Sequence, residues 1–178
     1  MENIKIPLNY GSIAGVVSFA IFLLAYFAGY DPLGAASWLG AWVPIVFIVI
    51  GIKKQRDQIF NGYISYGQAL GMGLMITFVY ASLFGLLVYI FGVLIDPGIV
   101  ELRKQESLEA MQKGYEQLPQ FFSEEYYDTV IEELEQMSVS SIAFSEFTGK
   151  LFGGLLISLI AAAFLKHSKS PFEEDNDE

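Results

Sequence analysis

The sequence contains no cysteine and a single histidine, His167. Without cysteine the chain can form no disulfide, no iron–sulfur cluster and no zinc site with thiolate ligands. One histidine also excludes any site that needs two imidazoles from the same chain. Cysteine usage therefore gives no information on the redox compartment of the protein.

Basic residues are scarce, because 10 Lys and Arg stand against 20 Asp and Glu, which gives a formal net charge of −10. Proteins that bind nucleic acid need clustered Lys and Arg to neutralise the phosphates. The composition therefore predicts no nucleic-acid partner.

Charge is missing altogether from four long apolar stretches. The sequence is 53% hydrophobic with a mean hydropathy of +0.45, and a helix needs about 20 mainly apolar residues to cross a bilayer. We predict an all-α, four-transmembrane-helix bundle that forms a single membrane domain over residues 1–178. The predicted spans are about residues 8–30, 33–52, 68–95 and 147–166.

The fourth span is the shortest of these apolar stretches. Its strictly uncharged part runs from Leu151 to Leu165. We expect the span to begin near Phe147, with the Lys150 ammonium reaching back to the headgroups.

Turn and capping signals separate the spans. Asp31-Pro32 breaks the helix between the first two, since the residue before a proline disfavours helical geometry. Asn61-Gly62 predicts a turn before the third span, and Ser65 predicts its N-cap. Pro44 lies inside the second span and predicts a kink there.

An acidic insert separates the third and fourth spans. Residues 97–141 predict a helical hairpin, with Pro119 between its helices and Ser123 as a cap. Each helix carries an apolar stripe, which we expect to pack on the other stripe or on a partner. The stripe residues, which are the candidate partner contacts, are Leu108, Met111, Tyr115, Tyr127, Val130, Ile131 and Leu134. Residues 167–178 predict a disordered acidic tail.

The distribution of basic residues predicts the orientation. Lys5, Lys53, Lys54, Arg56, Lys166 and Lys169 lie close to the spans on one side. By the positive-inside rule, we expect both termini in the cytoplasm and the insert on the extracytoplasmic side.

Signals of catalysis are missing from the sequence. The uncharged stretches contain none of the ionisable groups that mark proton pathways in membranes, and no P-loop, nucleophile elbow or HExxH motif occurs. We predict no catalytic residue, no cofactor and no metal site, and hence no enzyme. Asp128, Glu132 and Glu135 share a helix face, which we interpret as a solvated face rather than a calcium site.

Pairs of glycines four residues apart are the main positive motif. Each pair places two glycines on one helix face, where neighbouring helices in a membrane can approach closely. The candidate packing residues are Gly11, Gly15, Gly67, Gly71, Gly149 and Gly153. The partner of these faces is either another helix of this bundle or a helix of another subunit.

Two features together resemble a known family. One is the run from Gly62 to Ala69 that leads into the third span. The other is the end of that span at Ile95-Asp96-Pro97, followed by an acidic helical insert and a glycine-rich span closing on Leu165-Lys166. From about Ile4 to Lys169 the chain resembles the bacterial membrane family of the domain of unknown function 4199 type. The resemblance implies a four-helix protein of the bacterial inner membrane and supplies no reaction and no functional residue.

The preferred functional hypothesis is a non-enzymatic accessory or scaffolding subunit of a larger membrane complex. Its partners would be membrane lipid and either other membrane subunits or further copies of this chain. The alternative is a small homo-oligomeric transporter or channel, with a polar path built from Gln68, Thr77, Tyr80 and Ser82. The remaining hypotheses are lipid binding, a role in stress and an unrecognised enzyme.

Overall fold

The chain is described by a computed structural model that covers residues 2–117 and 124–167. These residues form six α-helices and one short 3₁₀ helix, Ala35–Gly40. The α-helices are α1 (Glu2–Phe27), α2 (Trp42–Gln58), α3 (Tyr66–Leu94), α4 (Ile99–Gln117), α5 (Glu124–Glu135) and α6 (Val139–Leu165).

Four segments are long and apolar enough to cross a bilayer, which indicates a membrane protein. They are Ile4–Phe27, Ala35–Gln58, Tyr66–Leu94 and Val139–Leu165. The all-α class and the number of spans are therefore confirmed.

The spans form a bundle in which α3 is central and packs against α1, α2 and α6. At one end, here called the terminal end, the backbones of Ile64 and His167 form two hydrogen bonds of 2.8 and 2.9 Å. These bonds tie the chain after α6 to the α2–α3 connection. The α1–α2 connection, α4 and α5 lie at the other end, here called the insert end.

Small side chains bring α3 and α6 together at mid-bundle. A Cβ placed on Gly73 would lie 2.7 Å from Ser158 Oγ, and one placed on Gly154 would overlap the Thr77 side chain. Thr77 Oγ1 and Ser158 Oγ are 3.3 Å apart, and both side chains are fully buried. The glycines therefore permit the close approach that buries this polar pair.

An aromatic cluster fills the insert end of the bundle. The Phe91 ring meets the Phe22 ring at a centroid distance of 5.1 Å and the Tyr26 ring at 4.9 Å, both edge to face. Ile99, the first residue of α4, is buried in the same cluster. The insert is thus anchored on the bundle where α4 begins.

Helix α6 begins at Val139, whereas the sequence predicted a span from about residue 147. Its N-cap is Ser138, whose side chain accepts a hydrogen bond of 3.2 Å from the Ser141 backbone. The helix therefore carries Glu146 and Lys150 within its length.

Pro44, for which the sequence predicts a kink inside the second span, lies in the first turn of α2. It is the third residue of α2, and the first four N–H groups of a helix have no intrahelical partner, so proline removes no helical hydrogen bond there. Pro7 lies further inside its helix, as the sixth residue of α1.

The insert contains helices α4 and α5 on either side of residues 118–123. The predicted Pro119 break and Ser123 cap, like most of the predicted tail (168–178), lie outside the described residues. Other local predictions hold: Ser65 caps α3 by accepting from the Gln68 backbone at 3.3 Å, and Asn61-Gly62 forms a turn with positive φ at both residues.

Candidate functional site

A cavity of about 340 Å³ lies towards the insert end of the bundle. The 3₁₀ helix and the start of α2 form one side of it, and α6 forms the facing side. It is partly open to the surface. Helices α1 and α3 form its inner wall. The principal lining residues are Ser18, Ile21, Phe22, Trp38, Pro44, Tyr80, Phe84, Glu146, Gly149, Lys150, Gly153 and Ile157. The volume lies in the range of about 300–1,000 Å³ that is usual for small-ligand pockets.

The space exists because α6 presents glycines to it. A Cβ placed on Gly149 or Gly153 would meet no atom within 4 Å. Both residues line the cavity, one helical turn apart. Larger side chains at these positions would project into the cavity.

An ion pair lies in the cavity wall. Lys150 Nζ is 3.2 Å from Glu146 Oε2 and 4.0 Å from the centroid of the Phe84 ring. Both charged side chains are 20% exposed. The Phe84 ring therefore adds a cation–π contact to the ammonium, within the limit of about 6 Å for such contacts.

Ser18 adds an unpartnered polar group to the inner wall. It lies in α1, is 6% exposed and lines the cavity. Its hydroxyl has no hydrogen-bond partner among the residues that the structure describes. An unsatisfied buried hydroxyl costs roughly 1–3 kcal/mol, so a ligand that supplies a hydrogen bond here would gain from it.

A carboxyl pair lies at the insert end, outside the spans. Asp31 Oδ2 lies 3.5 Å from Arg103 Nη1, and the Asp31 side chain is 1% exposed. The hydrogen bond between Glu106 and Asp31, together with desolvation and the Asp31 charge, raises the pKa of Glu106 to about 7, although Arg103 opposes the shift. Gly34 lies against both carboxyls. A proton on Glu106 would let this carboxyl donate to Asp31 and so hold α4 on the α1–α2 connection.

The six predicted packing glycines fall into two groups. A Cβ placed on Gly11 would lie 2.7 Å from Val79 Cβ, and one on Gly15 would lie 3.0 Å from Leu83 Cδ2, so these two face α3. The other four meet no atom within 4 Å: Gly149 and Gly153 at the cavity, and Gly67 and Gly71 on the outer surface of α3.

The candidate partner-contact residues of the insert differ in how deeply their side chains are buried. Met111 and Leu134 are buried, while Leu108, Val130 and Ile131 are half-buried. Tyr115 is exposed and has an interaction of its own. The Tyr127 side chain lies outside the described residues.

The polar residues of the predicted transport path do not lie together. Thr77 pairs with Ser158, whereas Gln68 caps α3 at the terminal end by accepting from the Ser65 backbone at 2.9 Å. Tyr80 lines the cavity. Gln68 therefore lies apart from Thr77 and Tyr80.

The sequence reasoning did not identify Glu146 and Lys150 as site residues, or Gly73 and Gly154 as packing residues. The i, i+4 spacing of Glu146 and Lys150 is a recognised ion-pair signal. Gly73, Thr77, Ala81 and Gly85 recur every four residues, which is the small-residue pattern of a helix contact.

A comparison with family models matches residues 9–167 to a family described as protein of unknown function (DUF4199). The comparisons with curated proteins and with solved structures give no match. Since the matched segment covers most of the chain, this protein belongs to the DUF4199 family.

Proposed function

We propose that this chain is a non-enzymatic integral membrane protein that binds a membrane amphiphile in the cavity beside α6. The observation that carries the proposal is a partly open cavity whose walls are mainly apolar and whose polar groups are few and localised. Pockets for apolar ligands have this character, with a small number of polar groups that fix the orientation of the ligand.

The position of the cavity favours a ligand from the bilayer. The walls belong to segments of membrane-spanning length, so acyl chains would surround the opening. Ile21, Phe22 and Ile157 offer an apolar surface to a chain, while the ion pair and the Ser18 hydroxyl offer contacts to a polar end. A freely soluble solute would have to displace lipid to reach the same place.

The ion pair supports a binding role over a catalytic one. A serine–lysine dyad needs a neutral lysine within hydrogen-bond reach of a serine hydroxyl. Lys150 instead lies 3.2 Å from Glu146 Oε2 and 4.0 Å from the centroid of the Phe84 ring. No such lysine–serine hydrogen bond occurs among the described residues.

Lipid retention tests the proposal. Native mass spectrometry of the protein extracted in mild detergent should detect a bound lipid. The Gly149→Leu/Gly153→Leu variant should lose that lipid, because the new side chains fill the cavity. Gly67→Leu/Gly71→Leu is the matched control, since it adds the same groups at the same spacing on the outer surface of α3. Equal retention by both variants would refute binding in the cavity.

We also propose a location in the bacterial inner membrane, as the family resemblance implies, with both termini in the cytoplasm, which the positive-inside rule supports. The absence of native cysteine allows a clean test of this orientation. Gln58, at the terminal end, and Gln112, in α4, are both exposed. In intact cells, an impermeant maleimide should label Gln112→Cys and spare Gln58→Cys. The reverse pattern would invert the proposed orientation.

An accessory role within a larger complex is the second candidate. It is supported by the outer surface of α3, where Gly67 and Gly71 are exposed and would allow a neighbouring helix to approach closely. Gentle extraction should recover a partner subunit at stoichiometric amounts, and Gly67→Leu/Gly71→Leu should release it. Migration of the wild-type protein as a lone 19.8 kDa chain would count against this role.

A further inference from the structure

A second cavity adjoins the first on the insert side. It measures about 450 Å³ and lies between α4, α5 and the first turns of α6. Ser145 and Glu146 line both cavities. The other lining residues of the second cavity are Arg103, Ser107, Val130, Glu133, Leu134, Gln136, Met137, Ser141 and Ile142.

Polar groups make up a larger share of the lining in the second cavity than in the first. Apolar groups form the larger part of both linings, and Arg103, Ser107 and Glu133 make the second cavity the more polar of the two. An amphiphile held beside Glu146 could therefore place its chain in the first cavity and its head in the second.

The charges that line the two cavities balance. Lys150 and Arg103 are cationic, while Glu146 and Glu133 are acidic. An ammonium has three N–H donors, and the described residues give Lys150 one carboxylate, so donors remain for a phosphate. The Glu146 carboxylate can in turn accept from a ligand amine.

The ion pair also lies at a suitable depth. At 1.5 Å per residue, Lys150 is about 22 Å and Glu146 about 28 Å along α6 from Leu165. A hydrocarbon core is about 30 Å thick, so the pair lies near the headgroup level of the insert-end leaflet. Trp38, which lines the cavity and is exposed, lies at the same end, where indoles favour the interface.

We propose that the occupant is a phospholipid with a zwitterionic head, whose phosphate contacts Lys150 and whose ammonium contacts Glu146. This inference rests on the proposed amphiphile-binding function and names its ligand class. The chain enters the first cavity and the head extends towards the second.

Charge complementarity distinguishes this ligand from an anionic lipid. A head with a phosphate and no amine would satisfy Lys150 but would bring negative charge close to Glu146 and Glu133. Like charges brought together at a partly desolvated site are unfavourable. A zwitterionic head supplies a partner for each member of the Glu146–Lys150 pair.

Competition between two lipids tests the inference. The detergent-solubilised full-length protein is incubated with equal amounts of phosphatidylethanolamine and phosphatidylglycerol of identical chains, and bound lipid is measured by native mass spectrometry. The wild type should prefer phosphatidylethanolamine by about tenfold, the factor expected from one charge-assisted hydrogen bond. E146Q should abolish or reverse the preference, and K150Q should weaken binding of both lipids.

The outcomes separate the two proposals. Equal binding of both lipids by the wild type, with lipid still excluded by Gly149→Leu/Gly153→Leu, would overturn the head-group assignment and leave the binding function standing. A wild type that retains neither lipid would overturn both. The wild-type comparison needs no variant, so it decides the matter even where E146Q fails to insert.

Discussion

The contact between α3 and α6 allows a stability prediction with an internal control. Gly73 and Gly71 lie two residues apart in α3, one buried against α6 and one exposed. A Cβ on Gly73 would lie 2.7 Å from Ser158 Oγ and 2.8 Å from Ser158 Cβ, whereas one on Gly71 would meet no atom within 4 Å. Gly73→Ala should therefore destabilise the bundle, and Gly71→Ala should not.

The magnitude follows from three effects. Replacing glycine by alanine within a helix gains roughly 0.5–1 kcal/mol in both variants. In Gly73→Ala the added methyl overpacks the interface, at a cost of roughly 1–3 kcal/mol. Displacing Ser158 also disturbs its contact with Thr77, and such contacts in membranes contribute about 0.6 kcal/mol. The free energies of unfolding of the two variants should therefore differ by roughly 1.5–3.5 kcal/mol.

Reversible unfolding in mixed micelles measures this difference. The helical circular dichroism signal is followed as the mole fraction of sodium dodecyl sulfate rises, and each free energy is extrapolated to zero. Gly71→Ala should equal or exceed the wild type in stability. Equal stability of Gly73→Ala and Gly71→Ala would refute the close packing of α3 on α6.

Three further predictions concern the insert end. Tyr26→Phe removes the hydroxyl that donates to Asp96 Oδ2 at 2.8 Å, and should lower the midpoint of the same unfolding titration because this hydrogen bond is lost. An unchanged midpoint would contradict the bond. The pKa of Glu106, raised from 4.5 to about 7, means that the folded state favours the protonated carboxyl. The contribution of Glu106 to the stability of the folded state is therefore full below pH 4.5 and is lost as the pH rises through about 7. Amides of α4, corrected for intrinsic exchange rates, should thus be better protected at pH 5 than at pH 8, and equal protection would refute the pairing with Asp31. Gly34→Ala places a methyl against both carboxyls and should abolish this pH dependence; its persistence would show that the pair does not lie over this glycine.

The spans could be predicted because an uncharged apolar run is a local property of the sequence. The start of α6 could not be obtained by counting uncharged residues, since the helix continues about three turns beyond Lys150, through Glu146 to Val139. The Ser138 cap, three residues before Ser141, is the local signal that marks the start.

The glycine pattern predicts a helix face but not its neighbour. Gly149 and Gly153 satisfy the four-residue spacing, yet they face the cavity, while adjacent Gly154 packs against Thr77. One residue corresponds to a rotation of about 100° around the helix. Which of Gly153 and Gly154 packs against a neighbouring helix therefore depends on where α3 lies. That is a tertiary property.

The carboxyl pair at the insert end has no sequence signal. Asp31 lies in the α1–α2 connection and Glu106 in α4, and each is unremarkable in its own segment. Their meeting depends on how α4 folds back over the α1–α2 connection. The cavity has the same origin, because its walls come from α1, α2, α3, α6 and the 3₁₀ helix.

Photo-crosslinking of a lipid to the protein in a bilayer tests the central claim most directly. The protein is reconstituted with phosphatidylethanolamine that carries a photoactivatable group in its acyl chain, and crosslinked peptides are mapped by mass spectrometry. We expect crosslinks concentrated on the cavity side of α6, between Gly149 and Ile157, and lost in Gly149→Leu/Gly153→Leu. Crosslinks spread evenly around the bundle, and unchanged by that variant, would contradict a lipid-binding cavity.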